Sequence, residues 1–369
     1  MQDIRMRWLW LAVVGLMAFP YTALADQSPS TVAVITNETG AHLGAYFRSL
    51  ADAPEVGRVV LADPDGNAEA LARELLDQKL TAVYTGEAAL YAAETPVMAL
   101  ITMEAREAPR AIRAALEAGC HVLAEKPACL SAEDFEELVT LAESKKRHLM
   151  LALANRLNPE IQKAKELVEA GALGRVYALQ MNLIDEQSRL RSTAYQQSWF
   201  ADRSRAGGGH LTWLGIHGLD LTMYVTGSTI RDVAGFVGNI GGEPVAIEDG
   251  AALSLRYGNG AVGTVLSGYF LDRDSGTFFK VWGAKGWLEI TSERPRQVRW
   301  FSTAGSEPVS EVFDGAADHS PYGAFVRACV RASRGEVEAP ITGRECLRVL
   351  QVIFGAYGAS DRGKTVTLE

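Results

Sequence analysis

The chain has little of what marks the specialised protein classes. Cysteine is scarce, with only Cys120, Cys129, Cys329 and Cys346 in 369 residues. None sits in a C-x-x-C or Cys/His spacing, which argues against a zinc module or a disulfide-stapled fold. Buried thiols are the expected state, and Cys120 with Cys129 is the pair to inspect for a bond. No Lys/Arg-rich run occurs and the formal net charge is −9, so neither nucleic acid nor an anionic membrane is an expected partner. Internal repeats and low-complexity tracts are lacking too. Long apolar runs are absent with one exception. Residues 8–19 are unbroken apolar, follow Arg5 and Arg7, and end at Pro20 before Ala23-Leu24-Ala25. That run is short for a bilayer and has the pattern of a secretory signal peptide, residues 1–25. Met6 separates the arginines, so it is no twin-Arg signal, and no cysteine follows the cleavage site for lipidation. The mature chain is expected to be exported, periplasmic or extracellular, without stable membrane insertion. An uncleaved anchor is the alternative.

What remains is an ordinary globular composition, 48% hydrophobic and 22% charged, long enough for two domains. From residue 31 to residue 155, apolar strands alternate with helical patterns. Strands are expected over 31–36, 58–63, 96–103, 121–125 and 149–155, with a shorter one at "TAVYT". Helices are expected over "LGAYFRSLAD", "NAEALARELLDQ", "APRAIRAALEAG" and "SAEDFEELVTLAESK", the last opened by Ser131 with Asp134 as a cap. This alternation implies an α/β domain, a doubly wound parallel sheet that binds ligands beyond the carboxyl ends of its strands. Candidate site residues are therefore those ending strands: residues 36–40, Asp63, 103–107, 125–127 and 155–156. Asp63 ends the second strand about twenty residues after the first turn, where a carboxylate accepts both ribose hydroxyls of NAD and repels the extra phosphate of NADP. A helix cap in "ADPDG" is the other reading of the same residue.

Glycine is missing where such a domain most needs it. The first turn reads "AVITNETGAHLG" (33–44), and the three positions of a G-x-G-x-x-G fingerprint hold Thr36, Glu38 and Ala41. Glu38 brings a Cβ and a negative charge to the phosphate position. Gly40 and Gly44 leave room for a shifted loop that presents backbone N–H groups, with Thr36, Asn37 and Gly40 as the contact residues.

Further motifs lie along the rest of the chain: "LAEKPACLS", "NRLNP", "AGALGRV", "AGGGHLTWLGIHGLDL", "WGAKGWLEI" and the ending "ITGRECLRVLQVIFGAYGASDRGKTVTL". In this order the chain resembles the Gfo/Idh/MocA oxidoreductases, the glucose–fructose oxidoreductase and inositol dehydrogenase type. The resemblance implies a Rossmann-type dinucleotide-binding domain over residues 26–155. A C-terminal substrate and oligomerisation domain over 156–369 would follow, built on a large, open, mostly antiparallel sheet. "LRYGNGAVGTVLSGYF" agrees independently, since it alternates around a Gly-Asn-Gly hairpin turn.

The resemblance further implies hydride transfer between a nicotinamide and a sugar, polyol or glycoside carbinol. Lys126 of E-K-P would hydrogen-bond the reacting oxygen, Pro127 would fix the loop, and His217 would take the proton. Glu125, Thr102 and Asn155 join the expected cofactor residues, and Arg156, His210, Trp213 and Asp220 the expected substrate residues. Three departures stand out. The turn has lost its glycines. Trp213 stands where the family pattern has an aspartate four residues before the histidine. Glu104 and Glu107 stand near the usual T-P-N stretch, where they would repel a pyrophosphate unless they turn away or meet Arg106 and Arg110. His210, Trp213 and His217, spaced i, i+3 and i+7, are expected on one helical face; His210 and His217 have no third ligand for a metal. The expectation is an exported NAD-dependent oxidoreductase, with NADP disfavoured, acting on a small carbohydrate. The alternative is a cofactor-free relative that binds carbohydrate without redox catalysis.

Overall fold

The computed structural model describes residues 28–291, 296–316 and 320–368. The expected signal segment lies outside the described residues. The first half alternates β1 (Ser30–Thr36), α1 (Leu43–Asp52), β2 (Val56–Ala62), α2 (Glu69–Leu76), β3 (Leu80–Tyr84), α3 (Glu87–Ala93), β4 (Met98–Thr102), α4 (Ala108–Glu117), β5 (His121–Ala124), α5 (Ala132–Ser144) and β6 (Leu149–Leu151). All six strands are parallel, in the order β3-β2-β1-β4-β5-β6. Apolar β-branched runs produce this layer because both faces of its central strands are buried. The order reverses between β1 and β4, so a crevice opens at their carboxyl ends. Thr36 and Thr102 are register partners there. Ser131 caps α5, its Oγ accepting from the Asp134 N–H at 3.1 Å as the sequence implies. β6 stops at Leu151, four residues short of the expected end. A 3-10 turn (Ala154–Leu157) follows, because Pro159 at the start of the next helix holds Asn158 extended.

The second half begins with α6 (Pro159–Glu169) and β7 (Val176–Glu186). Two single-turn helices, α7 (Thr193–Gln196) and α8 (Arg203–Ala206), lead to α9 (Ile216–Thr226). Strands β8 (Ile230–Gly238), β9 (Gly250–Tyr257), β10 (Val262–Leu271), β11 (Gly276–Gly283), β12 (Gly286–Ile290), β13 (Gln297–Ser302) and β14 (Val309–Asp314) follow, then α10 (Pro321–Ser333), α11 (Gly343–Arg362) and β15 (Val366–Thr367). They form one nine-stranded sheet, β14-β13-β12-β11-β7-β10-β9-β8-β15, antiparallel except between β7 and β10. The Gly-Asn-Gly stretch joins β9 to β10 as an antiparallel hairpin. One face of this sheet packs on α6, α9 and α11, and the other is open among the described residues. The chain then returns to its start: α10 packs on α1, and α11 packs against α5 and β6. Thr342 and Glu345 form the reciprocal capping box that starts α11. This return places the last helices beside the switch-point crevice.

Candidate active site

The turn after β1 is closed by its own side chains. The N–H of Glu38 donates to Asp65 Oδ2 at 2.9 Å, that of Thr39 to Asn37 Oδ1 at 2.9 Å, and that of Ala41 to Thr102 Oγ1 at 2.9 Å. The Gly40 N–H donates to the Asn37 carbonyl at 3.0 Å. Thr102 also donates its hydroxyl to the Ala41 carbonyl at 2.7 Å, and Thr36 donates to the Thr102 carbonyl at 3.0 Å. Gly40 is required by close approach, since a Cβ there would collide with Thr36 Oγ1. Asn37 is held at both ends, its amide donating to Glu107 at 2.5 Å. Thr36, Asn37 and Thr102, expected as cofactor contacts, are therefore the internal braces of this loop.

Of the two carboxylates expected to repel a phosphate, Glu104 is paired with arginines and Glu107 accepts from the Asn37 amide. Glu104 is fully buried and pairs with Arg106 at 3.0 Å and with Arg205, from α8. The sequence suggests Arg110 as a partner, but Arg110 pairs with Glu87 instead. Asp63 takes the helix-cap role of its two readings, and one oxygen is left over. Its Oδ2 accepts from the Ala68 and Glu69 N–H groups at 2.8 and 3.0 Å, fastening the start of α2. Its Oδ1 is buried and has no partner among the described residues.

A buried acceptor without a donor is costly, and Asp63 Oδ1 is such an acceptor at the end of β2, able to accept from a ligand hydroxyl. Helix α1 begins with no acidic residue and no side-chain cap, so its first N–H groups suit an anion. The turn itself, with its four N–H groups engaged, does not. The residues present fit a dinucleotide at its ribose and at the helix end.

At the end of β5 the chain places Glu125, Lys126 and Pro127 over the same crevice, with the Lys126–Pro127 peptide cis. Lys126 is only 2% exposed. Its Nζ donates to the Trp213 carbonyl at 2.6 Å and lies 3.2 Å from the centroid of the Trp213 ring. Burial pushes its amine down to about 7, against the opposing pull of Glu125. Glu125 is a buried hub. Its Oε1 accepts from the Lys126 backbone N–H at 2.9 Å, and its Oε2 accepts from Tyr46 at 2.7 Å and meets His42 Nδ1 at 2.8 Å. Burial raises its carboxyl, but the His42 hydrogen bond and Lys126 outweigh burial and hold it below its ordinary value.

The "AGGGH" stretch turns into the second half of the site. Gly208 and Gly209 lie so close to Tyr357 and to the Glu248 backbone that a Cβ on either would collide. Glu248, which no sequence motif signals, accepts from the Gly209 and Leu211 N–H groups at 2.7 and 3.0 Å and from Tyr357 at 2.8 Å. A π-helical segment (Leu211–Gly215) then precedes α9. Its wider turn breaks the expected common face. His210 points to the nine-stranded sheet, with Ser267 Oγ at 2.7 Å and Asp185 Oδ2 at 3.4 Å, and is fully buried. Trp213 points to Lys126 and stacks near His42, Phe200 and Trp199. His217 comes close enough to Lys126 for their charges to interact. Burial and Lys126 together press its imidazole down to about 3, so it is neutral, and its buried Nδ1 has no partner among the described residues.

Two expected substrate residues lie elsewhere. Arg156 and Asp220 form a buried bidentate pair at 2.7–3.1 Å, and Arg156 also donates to Glu345 at 2.7 Å. Their hydrogen-bonding capacity is spent joining the segment after β6 to α9 and α11. Asn155 sits half-buried in the preceding 3-10 turn. All four cysteines are buried and free, so Cys120 and Cys129 do not pair. Among the described residues no group of three or more His, Cys, Asp or Glu could hold a metal ion.

Comparison with known proteins matches two adjoining family models. "Oxidoreductase family, NAD-binding Rossmann fold" matches residues 78–153, starting after the altered turn, and "GFO/IDH/MocA C-terminal domain" matches residues 161–289. Levoglucosan dehydrogenase of Pseudarthrobacter phenanthrenivorans is 28% identical over 203 residues, 49% of this chain and 52% of that protein. D-glucoside 3-dehydrogenase of Escherichia coli is 34% identical over 115 residues, 31% of each. The chain thus spans about half or less of the length of these relatives. Two solved structures share the fold across the chain. A levoglucosan dehydrogenase complex with NADH has a TM-score of 0.82 at 18% identity, covering 93% of this chain and 100% of that one. Aldose-aldose oxidoreductase from Caulobacter crescentus has a TM-score of 0.75 at 21% identity, covering 92% of this chain and 100% of that one. With two family models spanning more than half of its length, over the two sheets described above, the chain belongs to the Gfo/Idh/MocA oxidoreductase family.

Proposed function

We propose that the protein is a nicotinamide-dependent oxidoreductase acting on a carbinol carbon of a sugar, polyol or glycoside. One observation carries this reading: a buried lysine with an amine near neutrality, Lys126, stands at the switch point of a Rossmann-type sheet beside His217. The nicotinamide supplies the hydride acceptor when bound. Lys126 Nζ holds the reacting oxygen and takes its proton, while neutral His217 offers a second hydrogen-bonding group. Trp213 covers Lys126, so substrate entry requires this ring to turn aside. The relatives' names, levoglucosan and D-glucoside dehydrogenases, support a pyranoside substrate. Asp63 supports NAD over NADP, since a carboxylate there opposes a ribose phosphate. The test is NADH formation from NAD with a panel of pyranosides. The wild type should turn over at least one of them, and Lys126→Ala should abolish turnover with the fold intact. Equal rates for the two proteins would remove Lys126 from the reaction.

We further propose self-association through the open face of the nine-stranded sheet. Phe236, Val262 and Val312 are 81, 53 and 56% exposed on it, and exposed apolar side chains on one face are a common basis for association. The apolar N-terminal segment and its A-x-A site support export; N-terminal sequencing of the native protein should then begin at Asp26.

A further inference from the structure

The carboxylate–histidine partnership missing from the helix at Trp213 and His217 is present at another place in the same centre. His42 Nδ1 lies 2.8 Å from Glu125 Oε2 and 3.1 Å from the Tyr322 hydroxyl. His42 is 36% exposed, whereas Glu125 is 1% exposed. The backbone holds His42 at φ 57, a left-handed conformation that side-chain-bearing residues seldom adopt. Strain of this kind persists where the surroundings fix the geometry, and it gathers at functional sites. The ring stacks on Trp213 at 5.5 Å, so His42 touches the cover of Lys126 as well as its carboxylate.

We propose that His42 is the proton-relay residue of this site, linking the buried Glu125–Lys126 pair to solvent. This rests on the reading of Lys126 as proton acceptor. The groups facing His42 are Tyr46 from α1, Glu125 and Lys126 from the end of β5, Trp213 and His217 from the π-helix and α9, and Tyr322 from α10. Tyr46 and Tyr322 are pushed up by burial and keep their protons. Of this set, His42 is the exposed group, and its imidazole has one nitrogen on the Glu125 carboxylate and a second that can exchange with water. In oxidation the substrate O–H bond breaks as C=O forms, and the C–H electron pair leaves as hydride to the nicotinamide. The proton goes to Lys126 Nζ and then to Glu125, which ends the Nδ1–H hydrogen bond to its carboxylate; solvent shifts the ring's proton from Nδ1 to Nε2, and Nδ1 then takes the Glu125 proton as the ring releases its Nε2 proton to water. Each passage ends with the ring in its first tautomer. Lys126 Nζ and Glu125 Oε1 are 4.0 Å apart, so the first hop requires the side chains to approach by about 1 Å.

The experiment compares wild type, His42→Gln and His42→Ala in three readouts: NADH binding by fluorescence, kcat and KM with an active pyranoside, and rescue by added imidazole. The expected result is NADH binding and KM close to wild type in both variants. Their kcat should fall about 100-fold, with imidazole restoring it in His42→Ala in proportion to its concentration. A kcat equal to wild type would overturn the relay and leave the oxidoreductase reading standing. A loss of kcat that imidazole does not restore would also overturn it, and would make His42 only a brace for Glu125. A wild type that neither binds NADH nor turns over a pyranoside would overturn both.

Discussion

Lys126 loses its proton near neutrality because burial penalises the ammonium form more than Glu125 favours it. The pH dependence follows from this. Oxidation needs the neutral amine, so the rate with a pyranoside should rise with pH through about 7 and then level off. Reduction of the corresponding ketone needs the ammonium and should fall over the same interval. A pH–rate profile taken in both directions checks the pair of slopes, and a flat profile in both would show that Lys126 carries no proton. The E-K-P motif makes Lys126 legible in the sequence, because three adjacent residues define its loop. His42 is not legible, because its importance comes from a left-handed backbone and from Glu125, 83 residues away. The same limit explains Arg156 and Asp220. A sequence displays their charges, but their closure on each other across 64 residues is a tertiary fact.

Among the elements, the alternation of apolar strands and amphipathic helices made the first sheet readable almost strand by strand. The large sheet was legible chiefly in its hairpin and through family resemblance. The helix after the three glycines departs from the expected spacing, which takes 3.6 residues per turn, because a π-helical turn intervenes. That turn separates His210 from Trp213 and brings the Trp213 carbonyl onto Lys126. The altered fingerprint also has an account at this scale. Where glycines would expose N–H groups, Asn37, Asp65 and Thr102 now accept from them, so the turn is stable without a ligand. α9 is anchored by Asp220 to Arg156. Asp220→Asn removes the charge from this bidentate pair while Glu345 still faces Arg156, so it should destabilise the fold by about 1.5–3 kcal/mol. Urea unfolding measures this. A change within error of zero would mean that the pair does not hold α9 in place.

For the molecule as a whole, the return of α10 and α11 to the first sheet brings Tyr322 beside His42 and the α1–β5 site. That return joins residues from both ends of the chain at one crevice, which neither half alone would contain. The open sheet face is the other whole-molecule feature. Trp282 and Trp287 are register partners on β11 and β12, with Lys280 over both rings. Trp282→Glu should therefore shift the mass measured by light scattering toward the monomer. An unchanged mass would place any association on another surface. The proposed function requires this braced, glycine-poor crevice to hold a nicotinamide dinucleotide. The direct measurement is to purify the native protein, denature it and assay the supernatant for nicotinamide, with melting temperature read against added NAD. Stoichiometric nicotinamide, or a melting temperature that rises with NAD concentration, is the predicted result. No released nicotinamide and a melting temperature unmoved by NAD or NADP would contradict it.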